Sequence, residues 1–336
     1  MRQVVTGGVD VSAKELVVAV RREDGSAELL RFPNDAGGHQ KLIRRVTKGG
    51  RSARVALEST GVYGLDLALA LHRAPRVEVM VANPRAVKDF GDALLKRTKT
   101  DPEDAVVILE YLERMPFEAW CPPSDNALIL RSIARRITAM KQTTTAEKNR
   151  LHAAEFLAAA SPVIRRDIEV NLRHLIRRID SLAKHAVAIV RSDAELSRKF
   201  DLLVTVKGIA ETSAVQILGE LSVLPPDMTA RQWVAQAGLD PRHHSSGTSV
   251  NKPSRISKVG NQRMRAGLYM PALVAGRHEP NVHAYSQKLI ARGKKPLQAV
   301  TAVMRKLLHS IHAMFRLNVP FDPKKFARTL DFQESA

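Results

Sequence analysis

Apolar residues in the first third of the chain fall in short runs separated by Gly, Pro and charged residues. Runs of this kind predict β-strands bounded by turns. Two of the later runs are each followed by residues at helical spacing. Strands that first follow one another and then alternate with helices indicate a mixed sheet with helices on its faces. The five predicted strands lie at residues 2–10, 14–22, 27–32, 54–58 and 77–82.

The pattern changes to helical spacing after a proline-rich boundary at Met115–Asp125. Two apolar seams with spacings of three and four predict two long helices, with a break at Ser161-Pro162. They form either an antiparallel hairpin or a coiled-coil arm that pairs with another subunit; two helices of a globular bundle fit equally well. The seams are Leu130, Ile133, Ile137 and Met140, then Ile168, Leu172, Leu175, Ile179, Leu182, Ala186 and Ile189.

Leu202–Leu221 reads as two short helices around a Lys207-Gly208-Ile209 turn, with the second helix starting near Glu211. Such a turn presents backbone N–H groups and a helix N-terminus, which hold a phosphate without reading sequence. A plain helix–helix corner with Gly208 as the C-cap is the alternative. Further helices are predicted at residues 232–237, 260–275 and 296–317, followed by a loose tail at 320–336.

Gly238–Arg265 has little apolar periodicity and is rich in Gly, Ser and Pro, which predicts a loop. The region is also basic, because residues 242–306 contain thirteen Lys or Arg and one acid, Glu279. Ser245 or Ser246 lies beside a glycine in this positive field, a setting that suits a nucleophile or a close phosphate contact. A solvated basic loop is the alternative.

The composition narrows the class of partner. With 336 residues, a net charge of +19 and a pI near 10.4, the chain favours a polyanionic partner, foremost nucleic acid. It has no amphipathic aromatic-rich basic helix, no bilayer-spanning apolar run and no signal-peptide pattern, so we expect a cytoplasmic protein that associates with the nucleoid when active. The single Cys121 excludes an internal disulfide framework and a cysteine-based zinc site. Aromatic residues make up only 4%, which favours phosphate contacts over base stacking.

Four carboxylates recur at particular places in the predicted pattern. Asp10 ends the first strand, Glu58 ends the fourth, and Asp101 and Asp104 begin the helix that follows. The last two share one side of a helical turn, and Asp101 could be the N-cap. Together the four could hold one or two Mg²⁺ ions, which prefer oxygen ligands. Taken singly, each has a structural alternative as a turn residue, a surface acid or a helix cap.

The order of these motifs resembles the IS110 family of transposases, described as RNA-guided DNA recombinases, over nearly the whole chain. The motifs are the four acids, the Val-Lys-Gly-Ile turn, Gly238-Leu-Asp-Pro241 with Ser246-Gly247, and the downstream Ile-Ser-Lys-Val-Gly-Asn-Gln-Arg-Met-Arg. The resemblance implies an α/β plus all-α fold: a RuvC/RNase H-like domain, a coiled-coil helical linker, and a mainly helical transposase domain with a helix-hairpin-helix-like element. The implied segments are 1–118, 119–198 and 199–320, with a loose tail at 321–336.

The resemblance also implies a mechanism. Ser246 would attack a DNA phosphodiester to give a covalent phosphoserine, with Mg²⁺ held near the phosphate by Asp10, Glu58, Asp101 and Asp104. Donor and target DNA would pair with a structured bridge RNA, and the enzyme would be a homo-oligomer, a dimer or a tetramer, that places Ser246 of one subunit beside the acids of another. The basic region would bind nucleic acid through Lys207, Gly208, Arg242, Lys252, Arg255, Lys258, Arg263 and Arg265.

Several choices stay open from the sequence. Ser246 is preferred to Ser245 only because it precedes the glycine, and His243 and His244 are either proton-transfer groups, phosphate contacts or bystanders. Two other functions fit the same residues. One is a RuvC-like nuclease in which metal ions activate water without a covalent intermediate. The other is a non-catalytic nucleic-acid binder whose acids are structural.

Overall fold

The computed structural model describes residues 4–58, 61, 63–95, 100–156, 162–246 and 250–328, with side chains throughout except at 243–254, 327 and 328. By its contacts the chain divides into two compact units, Met1–Pro122 and Pro123–Ala336, called here the first and the second unit. The predicted segment boundaries at 118 and 198 stay predictions.

The first unit is built on a five-stranded mixed sheet, as the sequence pattern predicts. The strand order is β3-β2-β1-β4-β5. β1, β2 and β3 are antiparallel neighbours, whereas β4 lies parallel to both β1 and β5. The strands are β1 (Val5–Val11), β2 (Glu15–Arg21), β3 (Ala27–Pro33), β4 (Ala53–Glu58) and β5 (Val77–Ala82).

Helices cover both faces of this sheet. They are α1 (Ala36–Val46), α2 (Leu65–Arg73), α3 (Pro84–Ala93) and α4 (Asp101–Arg114). Leu42 and Leu71, of α1 and α2, pack with Val9 and Leu57 in one core cluster. On the other face Val87 of α3 and Ile108 of α4 pack with Ala56. Local chemistry sets where the helices begin, since Asp35 caps α1 at Gly38 N (2.7 Å) and Asn83 caps α3 just before Pro84.

Helix α4 lies directly on β1 because Gly8 has no side chain. A Cβ at Gly8 would stand 2.3 Å from Leu109 N and 2.5 Å from Ala105 O. Any larger residue would push the helix off the sheet. This glycine therefore fixes the distance between α4 and the strand that carries Asp10.

The second unit is mostly helical, as expected. Its elements are α5 (Asp125–Glu155), α6 (Pro162–Ser192), α7 (Ala194–Val204), α8 (Glu211–Leu221), α9 (Ala230–Ala237), β6 (Pro241–Ser246), β7 (Val250–Ile256), α10 (Gln262–His278), α11 (Pro280–Ala291), α12 (Pro296–Leu317) and α13 (Pro323–Arg328). No helix in the described ranges is both long and apolar enough to cross a bilayer.

Helices α5 and α6 form the predicted antiparallel hairpin. Leu130 and Ile137, from the first half of α5, share a core cluster with Ala186 and Val190, from the end of α6. The same cluster continues through Leu218, Trp233 and Leu307. The base of the hairpin is thus part of the core of the second unit. Whether the hairpin also pairs with another subunit stays a prediction. Of the predicted break at Ser161-Pro162, Ser161 lies outside the described residues, and α6 begins at Pro162.

Two sequence predictions in the second unit are wrong, and one helix was not predicted. The predicted loop at Gly238–Arg265 contains the antiparallel hairpin β6–β7 and the start of α10. The residues of these two strands are mostly polar and do not alternate with apolar residues, which is the pattern that predicts a strand. Main-chain pairing between the two strands holds them instead. Helix α11 was not predicted. The expected loose tail contains α13, which Phe326 anchors in the core against the Tyr285 ring (centroids 5.5 Å apart); residues 329–336 of the tail lie outside the described part.

The close approach at Gly8 yields a stability prediction. Gly8→Ala should lower the free energy of unfolding by roughly 1–3 kcal/mol, because the new methyl overlaps the backbone of α4. Gly7→Ala is the matched control, since its Cβ would meet nothing closer than Ala19 O at 3.7 Å. Urea unfolding of both variants measures the difference. Equal losses in the two variants would show that contact with α4 is not the cause.

Candidate functional site

Asp10 and Glu58 lie at the carboxyl ends of two adjacent parallel strands. The β1–β4 register runs to Val9 opposite Leu57, which places Asp10 and Glu58 one residue further along. Side chains two residues apart in a strand share a face. Gly8 contacts α4, and Ala56 packs with residues of α4, so Asp10 and Glu58 belong to the α4 face of the sheet.

Helix α4 brings its N-terminus to the same edge. The Thr6 hydroxyl donates to Glu113 Oε1 at 2.6 Å, near the end of α4, whereas Gly8 lies against Ala105. The helix therefore runs antiparallel to β1, and its first turn lies beside the carboxyl ends of β1 and β4. Asp104 directly precedes the buried Ala105.

The four predicted acids differ in exposure. Asp10, Glu58 and Asp104 are half-buried, while Asp101 is exposed in the first turn of α4. The suggestion that Asp101 caps this helix is wrong, because the N-cap is Thr100, whose hydroxyl donates to Glu103 Oε2 at 3.0 Å. Asp10, Glu58 and Asp104 therefore lie on elements that meet at one edge of the sheet, and Asp101 lies at the exposed start of α4.

The donor chemistry of this edge fits a hard divalent cation, because all four side chains offer carboxylate oxygens. Over the residues that the structure describes, no group of three Asp, Glu, His or Cys side chains lies in position to hold a metal ion. The backbone thus fixes the strands and the helix that carry the acids.

An ion-pair cluster holds the opposite end of α4. The Arg21 guanidinium on β2 reaches Glu110 Oε1 at 2.7 Å and also binds Glu113. The hydrogen bond to Glu113 is the main reason that the pKa of Arg21 is raised above its usual range. This cluster, which the sequence did not reveal, pins α4 in the direction that points its first turn at the acidic edge.

Ser246 is the last residue of β6, paired with Val250 of β7, and Ser245 pairs with Asn251. His243, His244 and Lys252 lie in the same two strands, and Gly247 lies outside the described residues. Both candidate serines therefore stand at the far end of a two-stranded ribbon. The ribbon pairs with no further strand in the part of the chain that is described.

The base of the ribbon, called here the hairpin foot (residues 238–240 and 257–261), is tightly fixed to α9. Leu239 N donates to Val234 O at 3.0 Å, and Asn261 N donates to Gln236 O at 2.7 Å. Gly260 has a φ of 112°, and a Cβ there would lie 2.3 Å from Gln236 O. Across the foot, the Ser257 hydroxyl donates to Asp240 Oδ1 at 2.6 Å. The foot is therefore positioned by main-chain contacts that leave little room for movement.

A buried carboxylate connects the hairpin foot to the helical arm. Glu220 of α8, only 2% exposed, accepts from Arg135 of α5 at 2.8 and 3.0 Å and from Asn261 Nδ2 at 2.6 Å. Burial disfavours ionisation of Glu220, but the hydrogen bonds from Arg135 and Asn261 outweigh it, so its pKa lies below the usual range. Asn261 also caps α10 by accepting from Arg263 N at 2.9 Å. One ionised group thus joins α5, α8 and the foot.

Positive charge is concentrated in the second unit. Residues 1–122 carry 19 Lys or Arg and 17 Asp or Glu, whereas residues 123–336 carry 34 and 17, a net charge of +17. The electrostatic footprint of a polyanion-binding protein therefore falls on the helical unit.

The predicted nucleic-acid contacts differ in their surroundings. Those with exposed side chains are Lys207, Arg242, Arg255, Lys258 and Arg263. Gly208 lies in the turn between α7 and α8, and its backbone packs against Pro271 of α10. Arg265 is half-buried and donates to Ala237 O at 2.9 Å, so its guanidinium helps to hold the foot. The side chain of Lys252 lies outside the described part.

Sequence reasoning missed Glu220, Arg135 and Asn261. One signal was present, since Glu220 is an acid inside the apolar run Ile217-Leu-Gly-Glu-Leu221. Such a residue is either on a solvent face or paired in the core. Its partners lie 85 and 41 residues away in sequence, so nothing local identifies them.

Carboxylates at one edge of a mixed sheet, joined in one chain to a strongly basic helical unit, are features of a protein that acts on nucleic acid. Comparison with known proteins narrows this class. The model of DEDD transposases of IS110, described as "Transposase", matches residues 7–162, and the model described as "Transposase IS116/IS110/IS902 family" matches residues 200–287.

Curated relatives agree with the family models. The chain is 30% identical to the "Pilin gene-inverting protein" of Moraxella bovis, over 87% of this chain and 90% of the relative. The protein of the same name from Moraxella lacunata is 30% identical over 80% of this chain and 81% of the relative. An insertion element IS110 protein of Streptomyces coelicolor is 26% identical over 34% of this chain and 28% of the relative. The chain belongs to the IS110 family of transposases, enzymes that act on DNA.

The Glu220 network yields a prediction about pH. Glu220→Gln should cost about 3–5 kcal/mol near neutral pH, since it leaves Arg135 without its buried counter-charge. The folded pKa of Glu220 is lowered, so its stabilising effect is fully present above the ordinary value of 4.5 and is lost as the pH falls through the folded pKa. The difference in unfolding free energy between wild type and variant should therefore shrink below about pH 4.5.

Asp180→Asn is the control for this experiment. Asp180 forms an exposed i,i+4 pair with Lys184 (2.9 Å, Asp180 side chain 63% exposed). Its loss should cost at most about 0.5 kcal/mol at any pH. A Glu220→Gln cost as small as that, or one that does not change with pH, would contradict the stabilising role of the buried carboxylate.

Proposed function

We propose that this chain is a serine-dependent transposase that cuts and rejoins DNA through a phosphoserine intermediate, with Ser246 as the nucleophile. The observation that supports it most is the combination in one IS110-family chain of an acidic sheet edge and a serine at the end of a polar ribbon in a basic unit.

The serine step balances without an energy source. The Ser246 hydroxyl loses its proton, its Oγ forms a bond to phosphorus, and one ester P–O bond of the DNA breaks. The released sugar oxygen takes up a proton. Because one phosphodiester is exchanged for another, the reverse attack by a sugar hydroxyl on the phosphoserine rejoins the strands. The nearby Arg and Lys side chains would stabilise the negative charge that builds up on the phosphate oxygens.

The acids would hold a divalent metal, for which Mg²⁺ is the candidate because its ligands are oxygens. A DEDD transposase domain suggests such a metal. Asp10 and Glu58 would bind it from the strand ends and Asp104 from the start of α4, with Asp101 at the rim. When bound, the metal would neutralise phosphate charge and favour the ionised serine. The order β3-β2-β1-β4-β5, with three antiparallel and then parallel strands, supports a RuvC-like assignment for this domain.

The proposal includes two partners. One is a second copy of this chain, in a homo-oligomer in which the serine of one subunit acts beside the acids of another; the placement of Ser246 and the acids in different units of the chain is compatible with it. The other is a structured guide RNA, and the net charge of +17 on the second unit is compatible with binding it beside the DNA. In such an arrangement base pairing, not side chains, selects the donor and target sequences.

A related outcome of the same chemistry is DNA inversion. Two relatives that align over 80% or more of this chain are named for inverting a pilin gene. Cutting and rejoining at two sites in one molecule inverts the segment between them when the sites face each other. A plasmid substrate with sites in both orientations would separate inversion from insertion.

The nucleophile assignment predicts a covalent protein–DNA adduct. Ser246→Ala should abolish the adduct and lower recombination by more than about 1,000-fold, because no other group in this step replaces the hydroxyl. Ser245→Ala is the matched control and should retain both. Denaturing gels of protein incubated with end-labelled DNA detect the adduct. Strand cleavage that persists in Ser246→Ala would favour the RuvC-like nuclease, in which water is the nucleophile.

The acidic edge predicts dependence on Asp10. Asp10→Asn should reduce cleavage at least about 100-fold while leaving DNA binding intact, because it removes one anionic ligand and no cation. Asp89→Asn, at an exposed acid that pairs with Arg85, is the control. Cleavage assays with and without Mg²⁺ and a chelator, and with and without co-purified RNA, complete the test. Unchanged cleavage in Asp10→Asn would contradict the metal-site assignment. The alternative would then be a protein that binds nucleic acid and whose acids have a structural role.

A further inference from the structure

A cleft of about 540 Å³ opens in the second unit beside the hairpin foot. Its walls come from three places: the two ribbon strands at Pro241 and Ile256, the end of α11 at Leu289, and the start of α12 at Leu297. Leu239, at 2% exposure, lies at its base. The floor is therefore mainly apolar.

Among the residues that the structure describes, five cationic side chains and no carboxylate line this cleft. They are Arg255, Lys258, Lys294, Lys295 and Arg305. All five are exposed, and in the part of the chain that is described none of them forms an ion pair. In the first unit, by contrast, Arg45 pairs with Glu28 and Arg54 pairs with Glu78. None of the five charges in the cleft is thus neutralised by an ion pair among the described residues.

This arrangement is unfavourable without a ligand. Like charges around a concave apolar surface repel one another, and the low-dielectric floor screens them poorly. The acid nearest in sequence, Asp240, accepts a hydrogen bond from Ser257 across the foot. A polyanion bound in the cleft would relieve this repulsion.

We propose that this cleft binds the sugar–phosphate backbone of a nucleic-acid strand, with Lys294 and Lys295 as its outer phosphate contacts and Arg305 opposite them. The inference rests on the proposed function and extends it, since Lys294, Lys295 and Arg305 were not among the predicted contacts. Apolar walls suit the sugar, and lysines act as point charges on phosphate without selecting a base. The site therefore contributes affinity and register and no sequence preference.

The cleft also has a defined relation to Ser246. Pro241 and Ile256 line it and pair with each other at the start of the ribbon, and Ser246 follows five residues along β6. At about 3.3 Å per residue, the ribbon spans about 17 Å between them. A B-form strand rises about 3.4 Å per nucleotide. If the cleft holds a phosphate of the strand that Ser246 attacks, that phosphate lies about five nucleotides from the reacting bond.

The test measures binding across a salt series. The double variant Lys294→Gln/Lys295→Gln should reduce the slope of log Kd against log salt by about 2 and weaken binding about tenfold or more at moderate salt, since each lost phosphate contact removes about one released counterion. Fluorescence anisotropy with a 30-bp DNA duplex of mixed sequence gives the slope. The full chain is used without Mg²⁺, so that no cleavage intervenes.

Arg316→Gln/Lys324→Gln is the matched control. It removes the same charge from the second unit at exposed positions, the end of α12 and α13, that do not line the cleft. A reduction in slope of the same size in both double variants would overturn the proposal, because net charge alone would then explain it. An unchanged slope in Lys294→Gln/Lys295→Gln would overturn it as well.

The source of the phosphate is decided by a second probe. The same series is run with the RNA that co-purifies with the protein. A slope reduced only for duplex DNA assigns the cleft to the DNA strand, and one reduced only for RNA assigns it to the guide and removes the link to the attacked strand. Reduced binding of an acidic peptide, with both nucleic-acid slopes unchanged, would replace the proposal by a protein contact.

The outcome is separable from that of the proposed function. Ser246→Ala and Asp10→Asn test catalysis and leave the cleft intact, so their failure to affect recombination would leave the salt result standing. Normal recombination by wild type with an unchanged salt slope in Lys294→Gln/Lys295→Gln would reject the cleft alone.

Discussion

The buried carboxylate of Glu220 is the interaction on which the second unit depends. Its charge is stable in the core only while Arg135 and Asn261 donate to it, so α5, α8 and the start of α10 must meet at one point. Asn261 ends the hairpin foot, and its own backbone is bonded to α9. The foot of the serine-bearing strands is thus held both by its main-chain bonds to α9 and by the hydrogen bond from Asn261 to the buried Glu220.

Charge is divided between the two units in a way that suits chemistry on DNA. The first unit is nearly neutral, and several of its arginines are used in internal pairs such as Arg21 with Glu110 and Arg54 with Glu78. Its half-buried acids at the sheet edge therefore stand in a weak net field. The second unit carries the excess of cations that attracts the DNA backbone. Carboxylates near phosphates repel them, so a divalent cation between the two is the physical link that the proposed mechanism needs.

The two candidate elements of the active site are held by different means. Asp10 and Glu58 sit on adjacent strands of a sheet packed on both faces, with α4 fixed by Gly8 at one end and by Arg21 at the other. Ser246 sits on a two-stranded ribbon that is firm at its foot, where Gly260 and Asn261 contact α9. The acids therefore lie on strands held from both faces of the sheet, and the candidate serine lies on a ribbon held at its foot.

The sequence by itself determined the elements that a local repeat of apolar residues predicts: the five strands, the α5–α6 seam and α12. It also determined that Asp10 and Glu58 lie at strand ends. It did not determine β6–β7, whose polar strands carry no alternation, nor α13, which is held by one buried phenylalanine. The Glu220 network and the cationic cleft were decided by tertiary structure alone. Their members lie up to 85 residues apart. Which charged groups contact each other depends on the path of the folded chain and not on neighbouring residues.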